Sequence, residues 1–140
     1  MEKTGKSKGD KPMHYSVGAI IRRGGKLLMI DRNIPPFGFA CVAGHIDEGE
    51  TAEDAVVREV LEESGLKVER CEKIAEEELD WNRCSKGVDA HHWYLFECEV
   101  SGQERMNEES KSIGWFSLDE IKKLELEPVW KYWFEKLGVI

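Results

Sequence analysis

Gly44 to Leu66 reads GHIDEGETAEDAVVREVLEESGL. Its second half has the marks of a helix. Thr51 can cap the first turn with its hydroxyl, and Asp54, three residues on, gives a near capping box. The helix is expected to run to Ser64, where Gly65 supplies a residue suited to the left-handed C′ position. With Glu59 as the zero of a wheel at about 100° per residue, Glu63 falls near about 40° and Glu62 near about 300°. Ala52 and Ala55 land on the same side. Val57, Val60, Leu61 and Ser64 take the opposite side, with Val56 at the boundary, so the wheel predicts an apolar flank for the core and a carboxylate flank lined by alanines.

The carboxylate flank is locally unfavourable. Glu59 meets Glu62 at i+3 and Glu63 at i+4, and like charges at those spacings cost roughly 0.2–0.5 kcal/mol per pair. Arg58 offers relief toward Glu62 at i+4. A hard divalent cation would relieve the repulsion fully, since Mg²⁺ takes oxygen ligands from carboxylates and substrate phosphates. Taken by geometry alone, a solvated acidic face and a metal site both fit.

The whole stretch follows one pattern: glycine, five residues, glutamate, seven residues, Arg-Glu, an apolar residue, any residue, Glu-Glu, any residue, glycine, an apolar residue. Gly44, Glu50, Arg58, Glu59, Val60, Glu62, Glu63, Gly65 and Leu66 satisfy it. At average residue usage the non-apolar positions match by chance on the order of 10⁻⁹ per start position. The pattern resembles the Nudix box. The resemblance implies an α/β fold, a Nudix-type α/β/α sandwich on a mixed β-sheet. It implies a pyrophosphate hydrolase with a Mg²⁺ cofactor, Mn²⁺ being equally at home among oxygen ligands. By similarity, Glu59, Glu62 and Glu63 ligate metal together with the Gly44 carbonyl, and Glu59 also activates the attacking water. Glu50 pairs with Arg58, and Arg58 orients glutamates rather than touching substrate. Members of the family often recruit one more acid from a loop before a late strand; Glu109 is the best match here, with Glu108 second. Val42-Ala43-Gly44 replaces the Pro-Gly-Gly that many members carry at the box entry, and His45 after it is expected to be exposed.

Outward from the box, Tyr15–Arg22 and Lys26–Ile30 read as a hairpin about Gly24-Gly25. Asn33–Gly38 is a loop broken by two prolines, and Phe39–Ala43 is a short strand. Leu66–Glu78, His91–Val100 and Ile113–Phe116 read as strands, and Leu118–Leu124 and Pro128–Leu137 as helices. Residues 1–12 read as a flexible tail because Met1–Lys11 is polar and lysine-rich; residues 13–140 form one domain. Candidate substrate contacts are Arg32 and Arg83 for phosphate and Phe37 and Trp81 for a base, loop aromatics being freer to meet ligand than those in strands. Trp93 and Phe96 are expected to pack.

The chain has 140 residues, of which 41% are hydrophobic and 34% charged, with a net charge of −8. That charge argues against a general nucleic-acid binder. No apolar run reaches the roughly 20 residues that span a bilayer. Cys41, Cys71, Cys84 and Cys98 form no C-x-x-C pair, and Cys84 with His91 and His92 is only a loose cluster; reduced thiols in a cytoplasmic protein are expected. The leading expectation is therefore a hydrolase for a small nucleotide: a nucleoside triphosphate, a nucleotide sugar, ADP-ribose or a dinucleotide. A silent nucleotide-binding sensor and an RNA-end decapping enzyme are the alternatives. A homodimer is also expected from the family.

Overall fold

The computed structural model describes residues 1–140. In chain order the elements are β1 (Thr4–Lys6), β2 (Pro12–Arg23), β3 (Lys26–Arg32), β4 (Gly38–Ala40), β5 (Val42–His45), α1 (Ala52–Ser64), β6 (Lys67–Leu79), β7 (Ala90–Ser101), β8 (Ser110–Phe116), α2 (Leu118–Ile121) and α3 (Pro128–Lys136). Strand β2 is the spine. It runs parallel to β7 and antiparallel to β1, β3 and β5. β6 extends the sheet beyond β7, and β4 and β8 pair with β3, so the sheet is mixed, as the resemblance implied.

Side chains on these strands alternate between two faces. Ile20, Leu27, Met29, Trp93 and Leu95 face one core, closed by Ile121 of α2 and by Val129, Trp130, Trp133 and Phe134 of α3. Val17, Ile21, Leu28, Ile30, Phe96 and Cys98 face the other, closed by Ala55, Val56 and Val60 of α1. The result is a sheet between two helical layers. Trp93 and Phe96 are both buried, as expected. Trp130 lies so close to β2 that a Cβ on Gly18 would sit 2.8 Å from its ring and 2.8 Å from Leu95.

Two expectations fail. The N-terminal residues are not a free tail: Thr4–Lys6 pairs with Pro12–His14 of β2, and Lys3 donates its backbone N–H to the Ile46 carbonyl. Composition missed this because the pairing uses backbone groups, which a lysine-rich segment supplies as well as any other. The wheel is right about Val60 and Ser64 on the inner flank of α1 but wrong about the rest of that flank. Ala55, Val56, Val60 and Ser64 are buried, whereas Val57 and Leu61 are 41% and 51% exposed. The helix turns its Ala55–Glu59 stripe inward because Glu59 and Glu63 belong to a cleft against the sheet, not to open solvent.

Replacing Gly18 with alanine forces Trp130 or Leu95 to move in a close-packed layer. The variant is expected to lose about 1–3 kcal/mol of stability. Urea unfolding should show a lower midpoint at an unchanged slope.

Candidate active site

The helix α1 begins as expected. The Thr51 hydroxyl accepts from the Asp54 N–H at 3.0 Å, and Gly65 closes the helix at φ 74°. Its carboxylates are organised by Arg58. The guanidinium donates to both oxygens of Glu50 at 2.7 and 3.0 Å, to the His45 carbonyl at 2.9 Å, to Glu59 at 2.8 Å and to Glu62 at 3.3 Å. Glu50 also accepts the Asp47 N–H at 2.9 Å. One planar cation thus ties the acidic loop, the end of β5 and the helix together, a task for which the fork of an arginine suits better than an ammonium. The hydrogen bonds from Arg58 hold the Glu50 carboxyl below the usual range.

Glu59 presses against backbone. A Cβ on Gly44 would lie 2.1 Å from the Glu59 carboxyl carbon, so the glycine makes room for that carboxylate. Glu63 lies beside it, and the two carboxyl groups are hydrogen-bonded. Burial raises both, Glu63 well above the ordinary carboxylate range, and the bond from Glu59 adds to the shift there. Two partly buried carboxylates in contact favour sharing a proton or a cation. Their oxygen donors suit a hard divalent ion, so the residues fit the cation that the resemblance implies.

These groups line a cleft of about 320 Å³. Gly44, Arg58, Glu59 and Glu63 form one side, and Arg32, Arg83 and Glu109 also line it. Arg32 donates to the Pro36 carbonyl at 2.7 Å and faces Glu127 at 3.8 Å. Glu109 is placed by its carbonyl, which accepts the Asn33 N–H at 2.9 Å. Glu108 does not line the cleft. Neither does Glu62, whose side chain is 57% exposed and joins the site through Arg58.

Phe37 and Trp81 stay outside the cleft. The Lys111 ammonium lies 5.5 Å from the Phe37 ring, and Trp81 packs edge-on against Tyr132 of α3 at 5.6 Å. Loop residence made both accessible but did not fix the side on which they emerge. Trp93, Ser16, Asn82 and Glu127 line the cleft instead. Glu127 is buried, and desolvation pushes its carboxyl up to about 7. Its one sequence signal was an acid directly before the proline that opens α3. His45 is not exposed as expected. Its side chain is 18% accessible, bonded to Glu2 at 3.0 Å and stacked on His91 at 5.7 Å. Burial lowers the His45 imidazole and takes that of His91 down to about 4.

The family model for the NUDIX domain matches residues 12–137. The chain belongs to the Nudix family. Among its relatives, the oxidized purine nucleoside triphosphate hydrolase of Mus musculus is 37% identical over 95 residues, or 67% of this chain. The chain spans 58% of that protein's length. The ADP-ribose pyrophosphatase of Methanocaldococcus jannaschii is 29% identical over 114 residues, 80% of this chain and 66% of that protein. A solved structure of the MutT NUDIX hydrolase from Burkholderia pseudomallei superimposes with a TM-score of 0.63 at 30% identity, covering 77% of this chain and 85% of the other. No helix of this Nudix protein is long and apolar enough to cross a membrane.

The raised Glu63 carboxyl gives a stability test with a definite sign. An acid whose folded value is raised contributes stability that is present below its unfolded value, about 4.3, and is lost as pH rises through the folded one. In chelator, Glu63→Gln should therefore be more stable than wild type at about pH 8, with the gap closing by about pH 4. Thermal unfolding across that range reads it; a gap that is constant with pH contradicts the buried pair.

Proposed function

We propose that this protein is a Mg²⁺-dependent hydrolase that cuts a pyrophosphate bond in a nucleoside diphosphate linked to a further group. The observation that carries the reading is the partly buried Glu59–Glu63 pair, in one cleft with Arg32 and Arg83. An acid pair that needs a cation and arginines that suit phosphate are the two halves of an anhydride-cleaving site.

Glu59, Glu63, the Gly44 carbonyl and Glu109 are the residues that would hold the cation, and Glu62 would join them only by turning from Arg58 into the cleft. When bound, a divalent ion neutralises charge on the phosphates and lowers the pKa of attacking water. Glu59 is the base that takes the proton from that water. Arg58 fixes the Glu59 carboxylate, and Glu50 fixes Arg58, so both act by positioning. Arg32 and Arg83 hold the phosphates. The names of the mouse and archaeal relatives support a small nucleotide as substrate, either a nucleoside triphosphate or ADP-ribose. All four cysteines are free, which suits a reducing compartment, and we place the enzyme in the cytoplasm.

The test is a panel of nucleoside triphosphates, ADP-ribose, nucleotide sugars and dinucleoside polyphosphates, with products identified by mass. Cleavage should require Mg²⁺ or Mn²⁺. Glu59→Gln should lower kcat by about 10²–10⁴-fold. Tight nucleotide binding with no product from any member would make the chain a sensor instead.

A further inference from the structure

The same cleft holds a second group of side chains that the hydrolytic reading does not use. His45 at the end of β5, Cys84 in the β6–β7 loop and His91 at the start of β7 line it, and His14 of β2 lies against them. One ligand atom from each lies within 4.8 Å of all the others. The sheet brings them together: His14 is the register partner of His91 in the parallel pairing of β2 with β7, and Ser16, two residues on, is the partner of His45. The His14 and His45 rings are 4.4 Å apart between centroids, and the His14 ring is 5.9 Å from His91. Cys84 Sγ lies 3.9 Å from His14 Nδ1.

We propose that His14, His45, Cys84 and His91 bind a borderline transition-metal ion of the Zn²⁺ class, at a site separate in chemistry from the oxygen-lined acid cluster. The donor set is nitrogen and sulfur, which favours such an ion over Mg²⁺. Zn²⁺ with bonds of about 2.0–2.3 Å brings tetrahedral ligand atoms to about 3.3–3.8 Å from one another. Four atoms within 4.8 Å reach that by closing about 1 Å, within the range of small side-chain rotations.

Two further observations point to a ligand. His91 is 1% exposed, yet neither of its ring nitrogens has a hydrogen-bond partner. A buried imidazole in that state loses hydration without compensation, which a metal bond would restore. Second, Glu2 stands behind the cluster. Its carboxylate bonds His45 Nδ1 at 3.0 Å and lies 3.6 Å from His14 Nε2. A carboxylate behind a ligating histidine fixes the tautomer and leaves the other nitrogen for the ion. Lys86 pairs with Glu2 and completes the outer layer.

Four protein ligands close a tetrahedron, so the site is structural rather than hydrolytic. Ligation replaces the Cys84 S–H bond by an S–metal bond and releases the proton to solvent. It would pin the β6–β7 loop, which carries Asn82 and Arg83, against the sheet. Thus the ion would set how Arg83 meets the cleft.

Co²⁺ is the probe, added to the intact protein after chelator treatment. One equivalent should give tetrahedral ligand-field bands in the visible and a thiolate charge-transfer band in the near ultraviolet, both displaced by Zn²⁺. Cys84→Ser should lose the charge-transfer band; Cys84 sits in a loop, and circular dichroism checks that the fold persists. Glu2→Gln should weaken Zn²⁺ by about 10–100-fold. The Glu59→Gln, Glu63→Gln double variant should keep the full spectrum, which separates this site from the acid cluster whatever the outcome of the hydrolysis panel. A wild-type spectrum without the thiolate band, a full band in Cys84→Ser, or its loss in the glutamate double variant overturns the proposal.

Discussion

The Arg58 guanidinium holds the working end of this molecule together. Its donors reach the acidic loop at Glu50, the β5 backbone at His45 and two glutamates of its own helix. Without that cation the polar side of the loop, the strand end and the helix would lose its common partner, and the carboxylates would repel one another unrelieved. With it, Glu59 is pressed onto Gly44 and brought against Glu63. Burial then does the rest: a pair of acids that water would ionise easily becomes a pair that needs a proton or a cation.

The sheet sets where that cluster stands. Strand β2 gives one face to the α1 core and the other to the tryptophan-rich core under α3, and its pairing with β5 places Gly44 opposite Val17. Gly18 lets Trp130 settle directly on the strand. A firm platform matters because the cleft walls come from segments far apart in sequence, and only the sheet fixes their separation. The end of β3 at Arg32 and the loops that carry Glu109 and Glu127 are tied in turn by backbone bonds, as in Asn33 to Glu109 and Glu127 to Phe39.

Local patterns in the chain were legible where the physics is local. Caps, the alternation of the long strands and the spacing of the box glutamates all came through, and with them the pairing of Glu50 with Arg58. What failed was non-local. A helical wheel ranks residues by polarity, so it sent Glu59 outward and Val57 and Leu61 inward, whereas the cleft demands the reverse. Phe37 and Trp81 were chosen for lying in loops, but chain position does not say toward which face a loop side chain emerges. Only half of the histidine–cysteine group is legible in the sequence: Cys84 and His91 stand in a loose cluster with His92, but His14 and His45 are gathered to them by strand register, and His92 instead bonds Glu76 at 2.8 Å. Glu127 and the N-terminal strand escaped for the same reason.

Glu59 and Glu63 form a partly buried pair that a hard cation would satisfy. The most direct test is the rise in melting temperature on adding Mg²⁺, measured against pH. The rise should be large at about pH 8, where the pair would otherwise be strained, and should vanish by about pH 4, where protons replace the ion. It should also be lost in Glu63→Gln. An equal rise at both pH values, or one that survives Glu63→Gln, would contradict the account.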